Sequence, residues 1–163
     1  MVSAEILSDK EGIDKVNKIY QDVFNKEDTA EEETLYNVDN RQLYHALVYE
    51  GLAKEEPVAA GRLVIDNDMA TLDWIAVKEE HRRKHYGDMI ARMLVEKAKS
   101  ISCFDIHIDV PSNLERMFQN IGFLPVEEKL SANNDTNIQK NRIKMKYNKN
   151  HLNSCQRKQN NLV

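Results

Sequence analysis

The residues best suited to chemistry form a basic stretch, IAVKEEHRRKHYGD at residues 75–88, where a predicted strand runs through a short loop into a predicted helix. The loop contains three consecutive cations, Arg82, Arg83 and Lys84, and Gly87 follows at the start of the helix. Backbone N–H groups at a helix N-terminus have no intrahelical partner and carry the positive end of the helix dipole. A glycine lets the backbone approach a ligand without an intervening Cβ. The stretch is therefore suited to bind a phosphate or pyrophosphate group.

Three other interpretations of this stretch have to be compared with an anion-binding loop. A basic run of this length, taken alone, is better explained as a solvated surface turn. A single glycine cannot form a Walker A loop or a dinucleotide-binding fingerprint. His81 and His85 lie four residues apart and could share a helix face, but the sequence offers no third ligand close by. We therefore predict no metal site.

Two motifs, in the expected order, resemble a known family. In the first, Arg82 and Gly87 occupy the outer positions of the pattern Gln/Arg-x-x-Gly-x-Gly/Ala, and His85 stands where its first glycine is expected. In the second, residues 113–123, NLERMFQNIGF, end in Ile-Gly-Phe after an aromatic residue, Phe118. Both motifs are similar to those of the GNAT family of N-acetyltransferases. The resemblance covers about residues 3–128 and leaves the basic C-terminal tail unexplained.

The resemblance implies an enzyme that uses acetyl-CoA as cosubstrate, with no metal. It implies that the backbone of Ala76 and Val77 pairs with the pantetheine arm where two strands splay apart. It also implies that the N–H groups of residues 82–88 hold the pyrophosphate, and that Asn113 can contact the arm. The expected coenzyme-binding residues are Ala76, Val77, Arg82, Arg83, Lys84, His85, Tyr86, Gly87, Asp88, Asn113 and Phe118.

The acid and base that the family commonly uses do not align with suitable residues here. Phe118 stands nearest to the expected tyrosine, and Thr71 stands where some members have a glutamate. Direct attack of an amine on a thioester depends mainly on orientation and on an unprotonated nucleophile, so water or a neighbouring group can take the proton. Asp73 is the first candidate for a base acting through water, with Asp109 and His107 behind it. An ordinary polar residue at a strand end is an equally good interpretation of each.

The elements that must position these residues follow from hydrophobic periodicity and turn residues. Strands are predicted at 3–7, 43–50, 58–65, 69–77, 104–110, 123–127 and 142–147, and helices at 9–25, at 86–100 and between 112 and 122. Ser8 with Glu11, and Ser112 with Glu115, form capping boxes. The order predicts a GNAT-like α/β (α+β) fold, with a mixed, mostly antiparallel sheet of six to seven strands and about four helices.

Side-chain periodicity also predicts which residues enter the core. On the helix at 86–100 the predicted apolar face comprises Met89, Ile90, Met93, Leu94 and Ala98. Leu72 and Trp74 alternate with Asp73 and are predicted to point into the core on the face opposite to it. The stretch 27–41 is acidic and is predicted to be a loop or a short second helix.

Composition limits the class of protein. The chain has 163 residues, 41% hydrophobic, with a net charge of −4, which suits one globular domain and excludes wholesale disorder. We predict a domain at 1–149 and a basic, Asn-rich tail at 150–163. No apolar run is long enough to span a membrane, and the N-terminal residues lack a signal-peptide pattern, so a cytoplasmic location is expected. Cys103 and Cys155 have no zinc or disulfide spacing, and Cys103 is predicted to be a buried thiol.

Charge is unevenly distributed along the chain. Residues 1–68 carry 16 acidic and 7 basic side chains, whereas 78–99 carry 4 and 7, and 129–163 carry 1 and 8. In the fold that the resemblance implies, the acidic run at 31–33 would border the acceptor site, which favours a cationic acceptor. The glutamates could equally well serve only to keep a surface helix soluble.

Three classes of function can be weighed. We expect an N-acetyltransferase that acts directly on a primary amine of a small molecule or peptide. A CoA-binding regulatory protein with little or no turnover is the alternative, because the usual acid and base are absent. A nucleic-acid-binding module is less favoured, because the basic segments lack interleaved aromatic residues. The resemblance also makes a homodimer possible.

Overall fold

The computed structural model describes residues 1–24, 41–51, 56–127 and 141–148. Its strands are β1 (Val2–Ser8), β2 (Gln42–Glu50), β3 (Ala59–Asp66), β4 (Met69–Val77), β5 (Asp105–Pro111), β6 (Phe123–Pro125) and β7 (Arg142–Tyr147). The described helices are α1 (Asp9–Val23), α2 (Tyr86–Ser100) and α3 (Glu115–Ile121), with 3-10 turns at Glu79–His81 and Ser112–Leu114.

All seven strands form one sheet in the order β1-β2-β3-β4-β5-β7-β6. Strands β1 to β4 form an antiparallel meander, and β5, β7 and β6 pair antiparallel on the other side. Between the two groups, β4 and β5 are parallel and are joined by a crossover that contains α2. The predicted mixed and mostly antiparallel sheet of six to seven strands is confirmed.

The sheet has an apolar layer on each face. The larger layer, on the face we call the α2 face, packs α2 and α3 against the sheet. The smaller layer, on the α1 face, packs Val16, Ile19 and Tyr20 against Leu47 and Tyr49. Cys103 is buried in the larger layer, as predicted, and burial raises the pKa of its thiol.

Gly61 of β3 sets how closely α2 approaches the sheet. A Cβ on this residue would lie 2.4 Å from Cγ2 of Ile90 and 3.2 Å from Cδ1 of Leu94. Contacts that short are repulsive, so only a glycine lets the helix lie directly on the strand. The buried residues of α2 are Tyr86, Ile90, Ala91, Leu94, Val95 and Ala98. The predicted face was therefore wrong at Met89, which is 36% exposed.

The predicted common orientation of Leu72 and Trp74 was also wrong. The pairing of β3 with β4 shifts register, from Ala60↔Ala76 to Arg62↔Asp73, so two residues of β4 lie between the paired positions. Trp74 occupies this bulge with a φ of 50°. Leu72 consequently packs in the α2-face layer, whereas Trp74 packs with Tyr20 and Phe24 on the α1 face.

The two capping boxes differ from their predicted form. Ser8 is the N-cap of α1, but its side chain makes no capping hydrogen bond. Ser112 begins a 3-10 turn instead of capping a helix, so α3 begins later, at Glu115. Gly122 ends α3 with a φ of 124°, which agrees with the predicted stop.

Several predictions concern residues outside the described ones. The predicted loop or helix at 27–41 falls outside them except for Arg41, and so does the tail at 150–163. The division into a domain and a tail therefore stays a prediction. None of the helices in the described ranges is both long and apolar enough to cross a bilayer.

Candidate functional site

The predicted coenzyme site begins where β4 and β5 stop pairing. Their parallel register runs from Met69↔Asp105 to Leu72↔Ile108. Beyond Leu72, only Asp73, Ala76 and Val77 of β4 pair with β3, and among the described residues no strand pairs with residues 73–77 on the β5 side. We call this stretch the open edge of β4. Its backbone N–H and C=O groups can pair with an extended ligand in the way that an added strand would.

The open edge leads directly into the basic loop. After Val77 the chain makes the 3-10 turn Glu79–His81 and then enters α2 at Tyr86. Two loop residues with side chains, Arg83 and His85, have left-handed backbone conformations, each with a φ of 64°. Left-handed residues beside a helix start turn successive N–H groups toward one concave surface, which suits an anion.

Gly87 lies in the first turn of α2 with open space beside it. A Cβ built there would meet Val77 Cγ2 at 3.8 Å, an ordinary van der Waals contact. The packing of the protein itself therefore does not require a glycine at this position, in contrast to Gly61. That the glycine serves a ligand stays a prediction.

The three loop cations are used differently. Arg82 Nε lies 3.4 Å from the carbonyl oxygen of Val77, a long contact within the loop. Lys84 Nζ donates to Glu50 Oε1 at 2.8 Å. Arg83 is exposed and has no ion-pair partner in the part of the chain that the structure describes. Asp88, which follows Gly87, accepts from Arg92 at 2.8 Å.

Glu50, at the end of β2, is a residue of this site that the sequence did not indicate. Its Oε1 accepts hydrogen bonds from Lys84 Nζ and from the phenol of Tyr86. His81 Nδ1 lies 2.8 Å from Oε2, but the two atoms lack hydrogen-bond geometry, so the contact is a charge contact at most. The bonds from Lys84 and Tyr86 lower the pKa of Glu50 to about 2, against a smaller opposing effect of burial.

The same hydrogen bond shifts the pKa of the Tyr86 phenol upward. Donating to the Glu50 carboxylate raises the pKa of Tyr86, and burial raises it further. A phenol held this way is a poor donor to a departing thiolate, because giving up its proton would place two negative charges side by side. Tyr86 is therefore suited to holding the loop and not to acid catalysis.

The two predicted catalytic carboxylates both lie on the α1 face, just beyond the last β4–β5 pair. Asp73 accepts from Arg62 Nε at 2.8 Å and from Arg62 Nη2 at 2.7 Å. The arginine is 5% exposed, and its strand neighbour His45 is 4% exposed. Asp109 accepts from Arg142 Nε at 2.9 Å. Each carboxylate is thus fixed by an arginine, and ionised carboxylates retain lone pairs for further donors.

The remaining predicted residues lie farther along the chain. His107 Nε2 is within hydrogen-bond distance of Asp105 Oδ1, at 2.9 Å, and His107 pairs in register with Thr71. Asn113 is exposed in the 3-10 turn that follows β5. Phe118 is 1% exposed and contacts Phe123 edge to face, with 5.7 Å between ring centres. Its place is in the core, so its coenzyme contact stays a prediction.

No three histidine, cysteine or acidic side chains within the described ranges are grouped in a way that could hold a metal ion.

The chain was compared with models of protein families and with curated protein sequences. The model of the Acetyltransferase (GNAT) family matches residues 13–123. No curated protein sequence matches the chain significantly.

Several solved structures share the fold at low sequence identity. Escherichia coli ElaA is 18% identical, with a TM-score of 0.69 over 91% of this chain and 100% of its own. The ribosomal-protein-S18-alanine N-acetyltransferase of Escherichia coli is 14% identical, with a TM-score of 0.67 over 90% of this chain and 93% of its own. A Bacillus subtilis acetyltransferase in complex with CoA is 18% identical, with a TM-score of 0.59 over 90% of this chain and 99% of its own.

Proposed function

The chain belongs to the GNAT acetyltransferase family, and from this premise we propose that it moves the acetyl group of acetyl-CoA directly to a primary amine of a small molecule or peptide. One observation carries the proposal: the open edge of β4, at residues 73–77, continues into a loop and helix start built for an anion. An extended arm that ends in a pyrophosphate needs these two features side by side. The Bacillus subtilis relative with this fold was crystallised with CoA, which supports the choice of coenzyme.

In this proposal the chain binds and orients, and the coenzyme supplies the activated acyl group. When bound, acetyl-CoA supplies a thioester whose sulfur leaves readily as thiolate, since an ordinary thiol has a pKa of about 8.5. The backbone of Ala76 and Val77 holds the arm, and the N–H groups of residues 82–88 hold the pyrophosphate. The amine nitrogen forms a bond to the acetyl carbon as the carbon–sulfur bond breaks.

Asp73 is the residue that we propose for the proton released by the amine. It lies at the point where the open edge begins, and Arg62 fixes its carboxylate with two parallel hydrogen bonds. The neutral amine attacks, and the proton that its nitrogen then releases passes through water to Asp73, while the sulfur leaves as thiolate. Asp109, which lies on β5 and on the same face of the sheet as Asp73, is the second candidate.

The acceptor is proposed to carry positive charge beyond the attacked amine. The support is the excess of acidic over basic residues at 1–68, 16 against 7. The glutamates at 31–33 lie outside the described residues, so their position beside the acceptor remains a proposal. If they line the acceptor site, the KM for the acceptor rises with ionic strength, because salt screens an exposed rim over a distance of about 8 Å. Neutralising all three should flatten that dependence, and a KM indifferent to salt would contradict the proposal.

A second candidate function is a CoA-binding regulatory protein with little turnover. The observation that favours it is the burial of Phe118 in the core, at the position nearest the family's usual acid. Release of free CoA with a broad panel of amines separates the two functions. Tight CoA binding with no acetyl transfer to any amine in the panel would favour the regulatory function. A cytoplasmic location and a homodimer stay predictions from the sequence.

Titration calorimetry with CoA tests the coenzyme site. Gly87→Val should prevent close approach of the backbone, and Arg82→Ala should weaken binding about tenfold or more through loss of a charge-assisted contact. Arg116→Ala is the matched control, because it removes the same charge from an exposed position on α3. Unchanged affinity in both loop variants would remove the pyrophosphate assignment.

A further inference from the structure

The contacts of Glu50 reach three positions of the loop from a different part of the sheet. Tyr86 is the first residue of α2, Lys84 lies just before it, and His81 ends the 3-10 turn. All three side chains approach the two carboxylate oxygens of Glu50, which lies at the end of β2. The carboxylate therefore ties the second half of the basic loop to the sheet through two hydrogen bonds, and His81 at the start of the loop lies close to it.

Two residues of the loop near these contacts have unfavourable backbone conformations. Arg83 and His85 both adopt left-handed conformations, which side chains with a Cβ adopt at a cost. Such residues persist when surrounding contacts hold them in place. Lys84 lies between the two, and its bond to Glu50 is the side-chain contact that holds this segment.

The charge on Glu50 also changes what Lys84 can do. With Nζ at 2.8 Å from Oε1, the lysine already has a carboxylate partner and does not need a phosphate. The side chain of Glu50 is 28% exposed, so its hydrogen bonds to Lys84 and Tyr86 are partly shielded from water. Its lowered pKa is consistent with these bonds.

From this arrangement we infer that Glu50 is a positioning residue for the coenzyme: through Lys84 and Tyr86 it holds the basic loop in the shape that receives the pyrophosphate. The inference rests on the proposed function. It makes Glu50, an acidic residue, necessary for binding an anion, which charge alone would not suggest. It also changes the predicted role of Lys84 from a ligand of the phosphate to a tether of the loop.

The affinity of a Glu50→Gln variant for CoA tests the inference, because a charge effect and a loop-holding effect change it in opposite directions. If Glu50 acts only through its charge, Glu50→Gln removes a repulsion and tightens CoA binding. If it holds the loop, the same variant weakens CoA binding by about tenfold, because a neutral amide accepts more weakly from Lys84 and Tyr86. Glu80→Gln is the matched control, since Glu80 is in the 3-10 turn, its side chain is 68% exposed and its Oε1 lies 4.0 Å from His81 Nε2, too far for a hydrogen bond. Glu80→Gln should leave CoA binding equal or slightly tighter.

Kinetics and a double variant separate positioning from loss of structure. Glu50→Gln should raise the KM for acetyl-CoA severalfold while kcat changes little, a split that general unfolding does not produce. Lys84→Gln combined with Glu50→Gln should weaken binding no more than Glu50→Gln alone, because both changes break the same tether. If the two effects instead multiply, Lys84 binds the phosphate independently of Glu50 and the inference fails.

Hydrogen–deuterium exchange without coenzyme tests the tether separately from the function. Exchange in the peptide covering 78–90 should accelerate in Glu50→Gln and not in Glu80→Gln. Failure of wild-type protein to bind CoA would overturn the proposed function, whatever the exchange shows. Binding by wild type together with unchanged loop exchange and unchanged affinity in Glu50→Gln would overturn the inference alone.

Discussion

His85 is the N-cap of α2 and has a left-handed backbone, with φ 64° and ψ 17°. For a residue with a Cβ this conformation costs roughly 1–2 kcal/mol, whereas a glycine adopts it freely. Glycine also makes the unfolded chain more flexible, which offsets roughly 0.5–1 kcal/mol of that gain. The difference predicts that His85→Gly raises the free energy of unfolding by about 1 kcal/mol. For a chain of this size, that corresponds to a rise in Tm of about 2–4 °C.

His85→Ala is the control that isolates the backbone. Both variants remove the exposed imidazole, but alanine keeps the Cβ and with it the left-handed cost. At an ordinary position glycine is less stable than alanine by about 0.5–1 kcal/mol. At residue 85 the order should reverse, and urea unfolding of the two variants measures it. If His85→Ala proves as stable as His85→Gly, the loop does not have the described backbone and the reasoning about its shape is refuted.

Three further predictions concern the sheet and the loop. Gly61→Ala should lower the free energy of unfolding by about 1–3 kcal/mol, because its Cβ would overpack against α2. Gly87→Ala should not lower it, because there is room for a Cβ at that position. Equal effects of the two variants in urea unfolding would refute the packing argument. Because the pKa of Glu50 is lowered to about 2 from an ordinary 4.5, its contribution to stability is complete above pH 4.5 and is lost as pH falls toward 2; Glu50→Gln should therefore flatten the stability profile in that window, and an unaltered acid limb would contradict the assignment. Arg62→Lys keeps the charge but loses the two parallel donors, so kcat should fall more than the acceptor KM rises; an unchanged kcat would show that the mechanism does not need Asp73 held in place.

Local periodicity was sufficient to predict the elements that carry the site. The bounds of β4, α2 and β7 agree with the predicted 69–77, 86–100 and 142–147, because alternation and helical spacing are properties of neighbouring residues. The parallel pairing of β4 with β5 is the one that a helix between two strands allows, because parallel neighbours need a long crossover connection.

The predictions that failed depend on partners distant in sequence. The bulge at Trp74 arises from pairing with β3 around Gly61, so alternation along β4 alone placed the indole on the wrong face. Glu50 was not found because its partners lie 31 to 36 residues further along the chain, with two strands between. The bond between Arg62 and Asp73 likewise required the strand register. Sequence patterns predicted the position of the basic loop but not the side chains that contact it from the sheet.

The limited pairing between β4 and β5 has a mechanical consequence. Only four register pairs join these strands, whereas seven join β1 to β2. On either side of this junction, each group of strands is antiparallel and internally continuous. The junction is thus the line that divides the two antiparallel groups, and a change in their relative tilt would break only these four pairs and neither group's own ladder. A molecule that lies along residues 73–77 would brace the halves against each other, so we expect an occupied cleft to make unfolding more cooperative as well as shifting its midpoint.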